Sequence, residues 1–364
     1  AGDPGIPATP AGFTPDWVTA VIARQASGTR VASVSATRIG EGVGILAELY
    51  RLDLTYAPGG PTGPDSVIAK LHASSPEVRQ ICATYRFYER EVHFYREIAP
   101  TLQMGVAATH HAAFDPASGD AVIVMANLAP AVSPDQVAGI PLEKLTAAID
   151  AAAALHARWW QSPDLARIRG VVPASNEPPY SSVPEIYRAY LPAALAGLEG
   201  RGLPDLARAA TKLADGLDGL MHAFAAEPLT LCHGDFRVDN FMFTEGPADL
   251  DLTIIDWQIM MQARGPYDIG YLMGGAVQTE LRRSAEDSLL KRYHDRLIAG
   301  GVRGYSFEDC RLDYRRAIAI GLNYWVQGVA VADPNNARAM ALFDSWASRL
   351  DAAFRDLGVE ALIG

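Results

Sequence analysis

The sequence predicts an α+β fold in which a small antiparallel-sheet region, residues 1–127, precedes a larger and mostly helical region, residues 128–364. Three observations carry that expectation. Apolar and polar residues alternate with period two in several short runs before residue 128, whereas the pattern beyond it is helical almost throughout. The composition, 49% hydrophobic and 20% charged over 364 residues, is that of a globular chain with a sizeable core.

Taken in order, Ala32, Val34 and Ala36 alternate with Ser33, Ser35 and Thr37, and Tyr50, Leu52, Leu54 and Tyr56 alternate with Arg51, Asp53 and Thr55. Gly40-Glu41-Gly42-Val43-Gly44 lies between the two runs, giving strand, glycine loop, strand. A Pro/Gly loop, residues 57–65, leads to a third strand, Val67-Ile68-Ala69-Lys70-Leu71. Ile81, Tyr85, Tyr88, Val92 and Tyr95 then step by four and three, which predicts one helix stopped by Pro100. Residues 120–128 read as a strand, and a helix up to Trp160 follows with Pro141 in its first turn. Four prolines between residues 171 and 184 mark a loop. Short strand-like runs at 229–232 and 253–255 interrupt the helical region, which resumes beyond Ser284. No internal repeat or low-complexity tract is visible.

The charge balance excludes several classes. A net charge of −11 without any Lys/Arg run argues against nucleic acid as a partner. Cys82, Cys232 and Cys310 are too few and too scattered for a metal cluster or a disulfide framework, and free thiols fit a reducing, cytoplasmic setting. The N-terminus lacks the charged and apolar regions of a signal peptide. The longest charge-free apolar-rich stretch, residues 317–332, falls short of the roughly 20 residues of a membrane span and reads as a buried helix. Lysine is rare, at positions 70, 144, 212 and 291, so Lys70 within a strand stands out.

The most informative segment is Leu231-Cys232-His233-Gly234-Asp235-Phe236-Arg237-Val238-Asp239-Asn240, followed by Ile254-Ile255-Asp256-Trp257. His-Gly-Asp with an Asn five residues after the Asp, and Ile-Asp-aromatic 21 residues after it, resembles the superfamily of aminoglycoside phosphotransferases, choline kinases and ecdysteroid-kinase-like proteins. The resemblance extends more loosely from the glycine loop to Asp268. It implies a protein-kinase-like two-lobe fold and an ATP- and Mg²⁺-dependent phosphotransferase that acts on a small-molecule hydroxyl. Phosphoryl transfer needs a carboxylate near the acceptor hydroxyl and oxygen ligands that hold Mg²⁺ against the nucleotide phosphates. Asp235 is accordingly the expected base, and Asn240 and Asp256 are the metal ligands the resemblance implies. Each residue taken alone is also an ordinary turn or cap former. His233 and His156 read as packed, hydrogen-bonded histidines.

In the same family pattern Lys70 is the strand lysine on the nucleotide phosphates, and Glu91, in Glu91-Val92-His93-Phe94-Tyr95, resembles the carboxylate that pairs with it. Gly40, Gly42 and Gly44 would let backbone N–H groups approach phosphates, although three glycines also suit a plain hairpin turn. At the Ala126-Asn127-Leu128 junction relatives commonly show Glu-Asp-Leu. Ala126 and Leu128 keep the backbone groups that would hold adenine. Asp268 reads as a helix N-cap or a substrate contact.

Only 12 residues separate Asp256 from Asp268, with no Ala-Pro-Glu motif, which disfavours a protein substrate. Trp257, Tyr324 and Trp325 are the candidate substrate residues, with ordinary core packing as the alternative that either Tyr324 or Trp325 alone favours. Neutral Gln258, where choline kinases typically place a carboxylate, favours a neutral, largely apolar alcohol such as a sterol-like compound. An aminoglycoside or choline-type acceptor is the alternative. A nucleotide-binding pseudokinase is the competing class; it usually lacks one of the Lys, Glu, Asp, Asn and Asp set, and Lys70, Glu91, Asp235, Asn240 and Asp256 are all available. Phe236-Arg237 departs from the Leu-Trp usual in the ecdysteroid-kinase-like branch.

Overall fold

In the computed structural model, residues 3–24, 27–40, 46–245 and 250–363 are described, and the chain divides into two compact units. The first comprises Ala1–Leu102 and Val106–Pro130, the second Gln103–Gly105 and Ala131–Gly364.

In the first unit, α1 (Pro15–Ile22) is capped by Thr14, whose side chain accepts from the Trp17 N–H. An antiparallel sheet of order β1-β2-β3-β5-β4 follows, built from β1 (Val31–Ile39), β2 (Ala47–Tyr56), β3 (Ser66–His72), β4 (Thr109–Phe114) and β5 (Ala121–Ala126). Val18, Val21 and Ile22 of α1 pack with Leu52, Leu54, Val67, Ala69, Leu71, Val122 and Val124 into one core. Period two in β3 therefore sends Val67, Ala69 and Leu71 inward and leaves Lys70 on the opposite face. β1 forms the sheet edge, and Ala32 and Ala36 are exposed although their alternation suggests a buried face.

The single helix expected from the Ile81–Tyr95 stripe is broken in two. α2 (Pro76–Thr84), capped by Ser75, ends before Arg86, which adopts the left-handed conformation at φ 56°. α3 (Phe87–His93) then starts on a new axis and runs into a π turn, Phe94–Ile98, and a 3₁₀ turn holding Pro100. The break turns Ile81 out to solvent, 45% exposed, while Cys82 is buried instead. It also leaves Glu91 on the buried side of α3.

The second unit is mainly helical: α4 (Leu142–Trp159), α5 (Val183–Gly200), α6 (Pro204–Ala225), α7 (Pro266–Ala276), α8 (Thr279–Ala299), α9 (Phe307–Val331) and α10 (Ala337–Leu357). Pro141 is the N-cap of α4. Between α6 and α7 run two short antiparallel pairs, β6 (Thr230–Cys232) with β9 (Met261–Ala263), and β7 (Phe241–Glu245) with β8 (Leu250–Ile254). Gly105 seats against β8, where a Cβ would lie 1.8 Å from the Leu252 carbonyl oxygen, and its own carbonyl accepts the Ile254 N–H at 2.9 Å. Only glycine fits there. The stretch expected as a buried helix at 317–332 forms the second half of α9, whose start carries a Ser306/Asp309 capping box. Among the described residues no helix is long and apolar enough to cross a membrane. All three cysteines are free and buried.

Candidate active site

The loop that joins β6 to β7 carries Asp235 and Asn240, and strand pairing decides what lies beside it. The β7–β8 register sets Phe241 opposite Ile254, and the Ile255 N–H donates to the Asn240 carbonyl at 3.0 Å. Asp256 is therefore delivered next to the end of the Asp235 loop, although 21 residues separate it from Asp235 in sequence. Its backbone adopts φ 65°, a conformation asparagine and aspartate tolerate better than other side-chain-bearing residues.

Asp235 is held from several sides. The Asn240 amide nitrogen donates to the Asp235 main-chain oxygen at 2.9 Å and to Oδ2 at 3.0 Å. Arg237 Nε lies 3.3 Å from Oδ2, and Tyr271 on α7 donates its hydroxyl to Oδ1 at 3.0 Å. Committing the Asn240 nitrogen to Asp235 leaves its carboxamide oxygen as the atom suited to a cation. Arg237 also pairs with Asp239 at 3.0 Å, and the Asp235 carboxylate is the main reason its guanidinium is held more firmly protonated than usual.

Asp268 explains how the loop keeps its shape. Sequence spacing suggests an N-cap or a substrate contact, and the structure shows neither: Gly265 caps α7. The fully buried Asp268 carboxylate accepts the His233 N–H at 2.8 Å and the Gly234 N–H at 3.0 Å. His156, also fully buried, donates Nε2 to the same carboxylate at 3.2 Å, with Nδ1 2.8 Å from the Tyr293 hydroxyl. His233 is spent in the same framework: Nε2 donates to the Ile255 carbonyl at 3.0 Å and Nδ1 accepts the Asp235 N–H at 3.2 Å. Gly234 takes φ 85°, and a Cβ there would lie 2.4 Å from the Ile259 carbonyl oxygen. The histidine ring thus ties the Asp235 loop directly to the strand end that bears Asp256.

The candidate substrate residues divide. Tyr324, half-buried on α9, donates its hydroxyl to the Gly234 carbonyl at 2.9 Å and stacks on Tyr271 at 4.4 Å between ring centroids. Trp257 and Trp325 do not fit a substrate wall, since both are fully buried. Trp257 donates to the Ile254 carbonyl and packs its ring 4.5 Å from that of His233, while Trp325 donates to the Phe343 carbonyl. An aromatic beside a strand end or on a helix satisfies its N–H inside the core when a carbonyl is in reach, and both do so here.

In the first unit, Lys70 Nζ lies 2.7 Å from Glu91 Oε2, with side chains 12% and 2% exposed. Lys70→Ala removes that cation from a nearly buried carboxylate. The expected loss is about 3–5 kcal/mol of stability, the range for breaking a buried pair from one side. The double variant Lys70→Ala/Glu91→Gln should recover most of the denaturant midpoint while leaving ATP affinity weakened. Full recovery of ATP affinity in the double variant would remove Lys70 from the phosphate contacts.

Gly40 takes φ 69°, and Gly42 and Gly44 lie outside the described residues. The Ala126 N–H is already donated to the Ala108 carbonyl at 2.8 Å, so an adenine contact at this residue falls to its carbonyl or to the half-buried Leu128. Asn127, where relatives carry an acid, spends its amide on Ser66 Oγ and its oxygen on the Ala129 N–H. Tyr271 was not singled out as a site residue from sequence. Its signal was the spacing Tyr267, Asp268, Tyr271, which places all three within one turn of a helix whose acid grips the loop.

The fold defined by these two units is protein-kinase-like, and solved structures share it. The chain aligns over 96% of its length with 97% of a provisionally named aminoglycoside phosphotransferase from Ralstonia eutropha JMP134, at 16% identity and TM-score 0.56. It aligns over 89% of its length with 83% of a Plasmodium vivax ethanolamine kinase, at 11% identity and TM-score 0.51. Likeness at such identities shows the fold. The ecdysteroid kinase-like family model matches residues 41–159 and 174–300, more than half of the chain, and the protein belongs to that family. It is a small-molecule kinase. No curated protein matches the sequence.

Proposed function

We propose that the protein transfers the γ-phosphoryl group of ATP, with Mg²⁺, to the hydroxyl of a neutral, largely apolar small alcohol. The observation that carries this reading is the joint placement of Asp235, Asn240 and Asp256. The Asn240 nitrogen is committed to Asp235, its main chain to Ile255, and Asp256 follows immediately. That donor set, two carboxylates and a carboxamide oxygen, fits a hard divalent cation, and Asn240 and Asp256 would hold it. When bound, the ion screens the phosphate charge.

The chain's own residues do the rest. Asp235 orients the acceptor hydroxyl and takes its proton as the oxygen becomes phosphorylated. Lys70, steadied by Glu91, contacts the nucleotide phosphates as a compact cation. By the family resemblance the glycines at 40, 42 and 44 would let backbone N–H groups approach the same phosphates, and the Ala126 carbonyl and the backbone of Leu128 would hold adenine.

Neutral Gln258 supports the neutral acceptor, since no acid stands at that position to meet a choline-like or polyamine cation, and the family description points to steroid-like alcohols. ATP consumption by the purified protein across sterols, other hydroxylated lipophiles, amino sugars and choline-like amines tests the reading. Turnover is expected with the neutral alcohols. Robust phosphorylation of an aminoglycoside or of choline, with the sterols inert, contradicts the acceptor class.

A further inference from the structure

The donors that hold Asp235 are not equivalent. Asn240 and Arg237 sit on the same short loop as Asp235 and bind Oδ2, so they move with it. Tyr271 stands apart on α7, a helix whose residues are all buried, and reaches Oδ1 at 3.0 Å. A carboxylate held only at Oδ2 can still turn about that point; a donor on a separate rigid element at Oδ1 fixes its plane. Burial first, and the Asp235 charge next, push the Tyr271 phenol well above its ordinary range, which keeps the hydroxyl protonated and donating.

A second contact supports the same loop. The Gly234 carbonyl can only accept, so Tyr324 donates to it at 2.9 Å, and Tyr267, 3.0 Å away, donates to Tyr324 in turn. Tyr324 and Tyr271 stack with an interplanar angle of 29°. Two helices, α7 and α9, thereby grip consecutive residues of the loop through a stacked pair of phenols.

We infer that Tyr271 is a positioning residue for phosphoryl transfer: its hydroxyl fixes the plane of the Asp235 carboxylate, and Tyr324, supported by Tyr267, fixes the peptide on which that carboxylate stands. Oδ1 retains a second lone pair for the acceptor's proton. The inference rests on the reading of Asp235 as the group that meets the acceptor hydroxyl.

Tyr271→Phe tests it, because phenylalanine keeps the ring stacked on Tyr324 and removes only the hydroxyl. With water as acceptor, single-turnover ADP formation from ATP and Mg²⁺ is compared in wild type, Tyr271→Phe and Asp235→Asn, while calorimetry gives ATP affinity and stoichiometry. The expected result for Tyr271→Phe is a fall of about ten- to a hundredfold in rate per ATP site, the scale of a misoriented reacting group, at unchanged ATP affinity. If Asp235→Asn runs at the wild-type rate, the reading of Asp235 itself fails. If Asp235→Asn is inactive and Tyr271→Phe matches wild type, the positioning role is overturned. Loss of ATP stoichiometry in Tyr271→Phe overturns it too, in favour of a purely structural tyrosine. A crystal structure of Tyr271→Phe gives a readout independent of turnover: the Asp235 carboxylate should leave its plane, and an unmoved carboxylate contradicts the proposal.

Discussion

Asp235→Asn lowers turnover by about two to four decades, the range for losing a general base, and leaves ATP affinity nearly unchanged. The carboxamide keeps the size of the carboxylate and one acceptor oxygen, so the loop retains most of its packing. It cannot take the acceptor's proton. Asp268 and His233 also hold the loop main chain through the His233, Gly234 and Asp235 N–H groups, which the substitution leaves in place, so the variant should stay folded. Initial rates against ATP, together with calorimetry, separate the two quantities. A parallel loss of ATP affinity would move Asp235 from acceptor chemistry to nucleotide or metal binding.

The second large effect is at Asp256. Asp256→Ala should abolish the Mg²⁺-dependent part of ATP binding, because a hard cation loses a charged oxygen ligand. The left-handed backbone at φ 65° adds a separate cost, since alanine tolerates it less well than aspartate, on the order of 1 kcal/mol. Asp256→Asn removes the charge and keeps a residue at home in that conformation, so it isolates the metal effect. ATP titrations with and without Mg²⁺ should show the metal-dependent difference vanish in Asp256→Ala and shrink strongly in Asp256→Asn. Persistence of the full difference in both variants would remove Asp256 from the metal site.

Much of this architecture was legible in the sequence because it is carried by local pattern. The alternation around Leu52 marks a strand whose inward residues form the core, and the apolar run at Val67 marks the next strand, which carries Lys70. The helix that ends near Trp160 and the buried helix at 317–332 were equally plain. What escaped was decided by single backbone conformations or by partners far along the chain. No local signal announces that Arg86 turns left-handed, so the Ile81 stripe looked continuous while the chain had already changed axis. Asp268 resembled a cap because its partners, His233 and Gly234, lie 35 and 34 residues away. Trp257 and Trp325 stood as substrate candidates because an aromatic's side chain does not reveal which carbonyl will take its N–H. Tyr271 carries chemistry only through Asp235, 36 residues earlier, and spacing alone does not single it out from Tyr267.

The central claim, that Asp235, Asn240 and Asp256 form a phosphotransfer site, is tested most directly by mass spectrometry of the acceptor panel after incubation with ATP and Mg²⁺. The account predicts an alcohol that gains one phosphoryl group with the wild-type protein and none with Asp235→Asn, although that variant still binds ATP. Equal phosphorylation by the wild type and Asp235→Asn would contradict it.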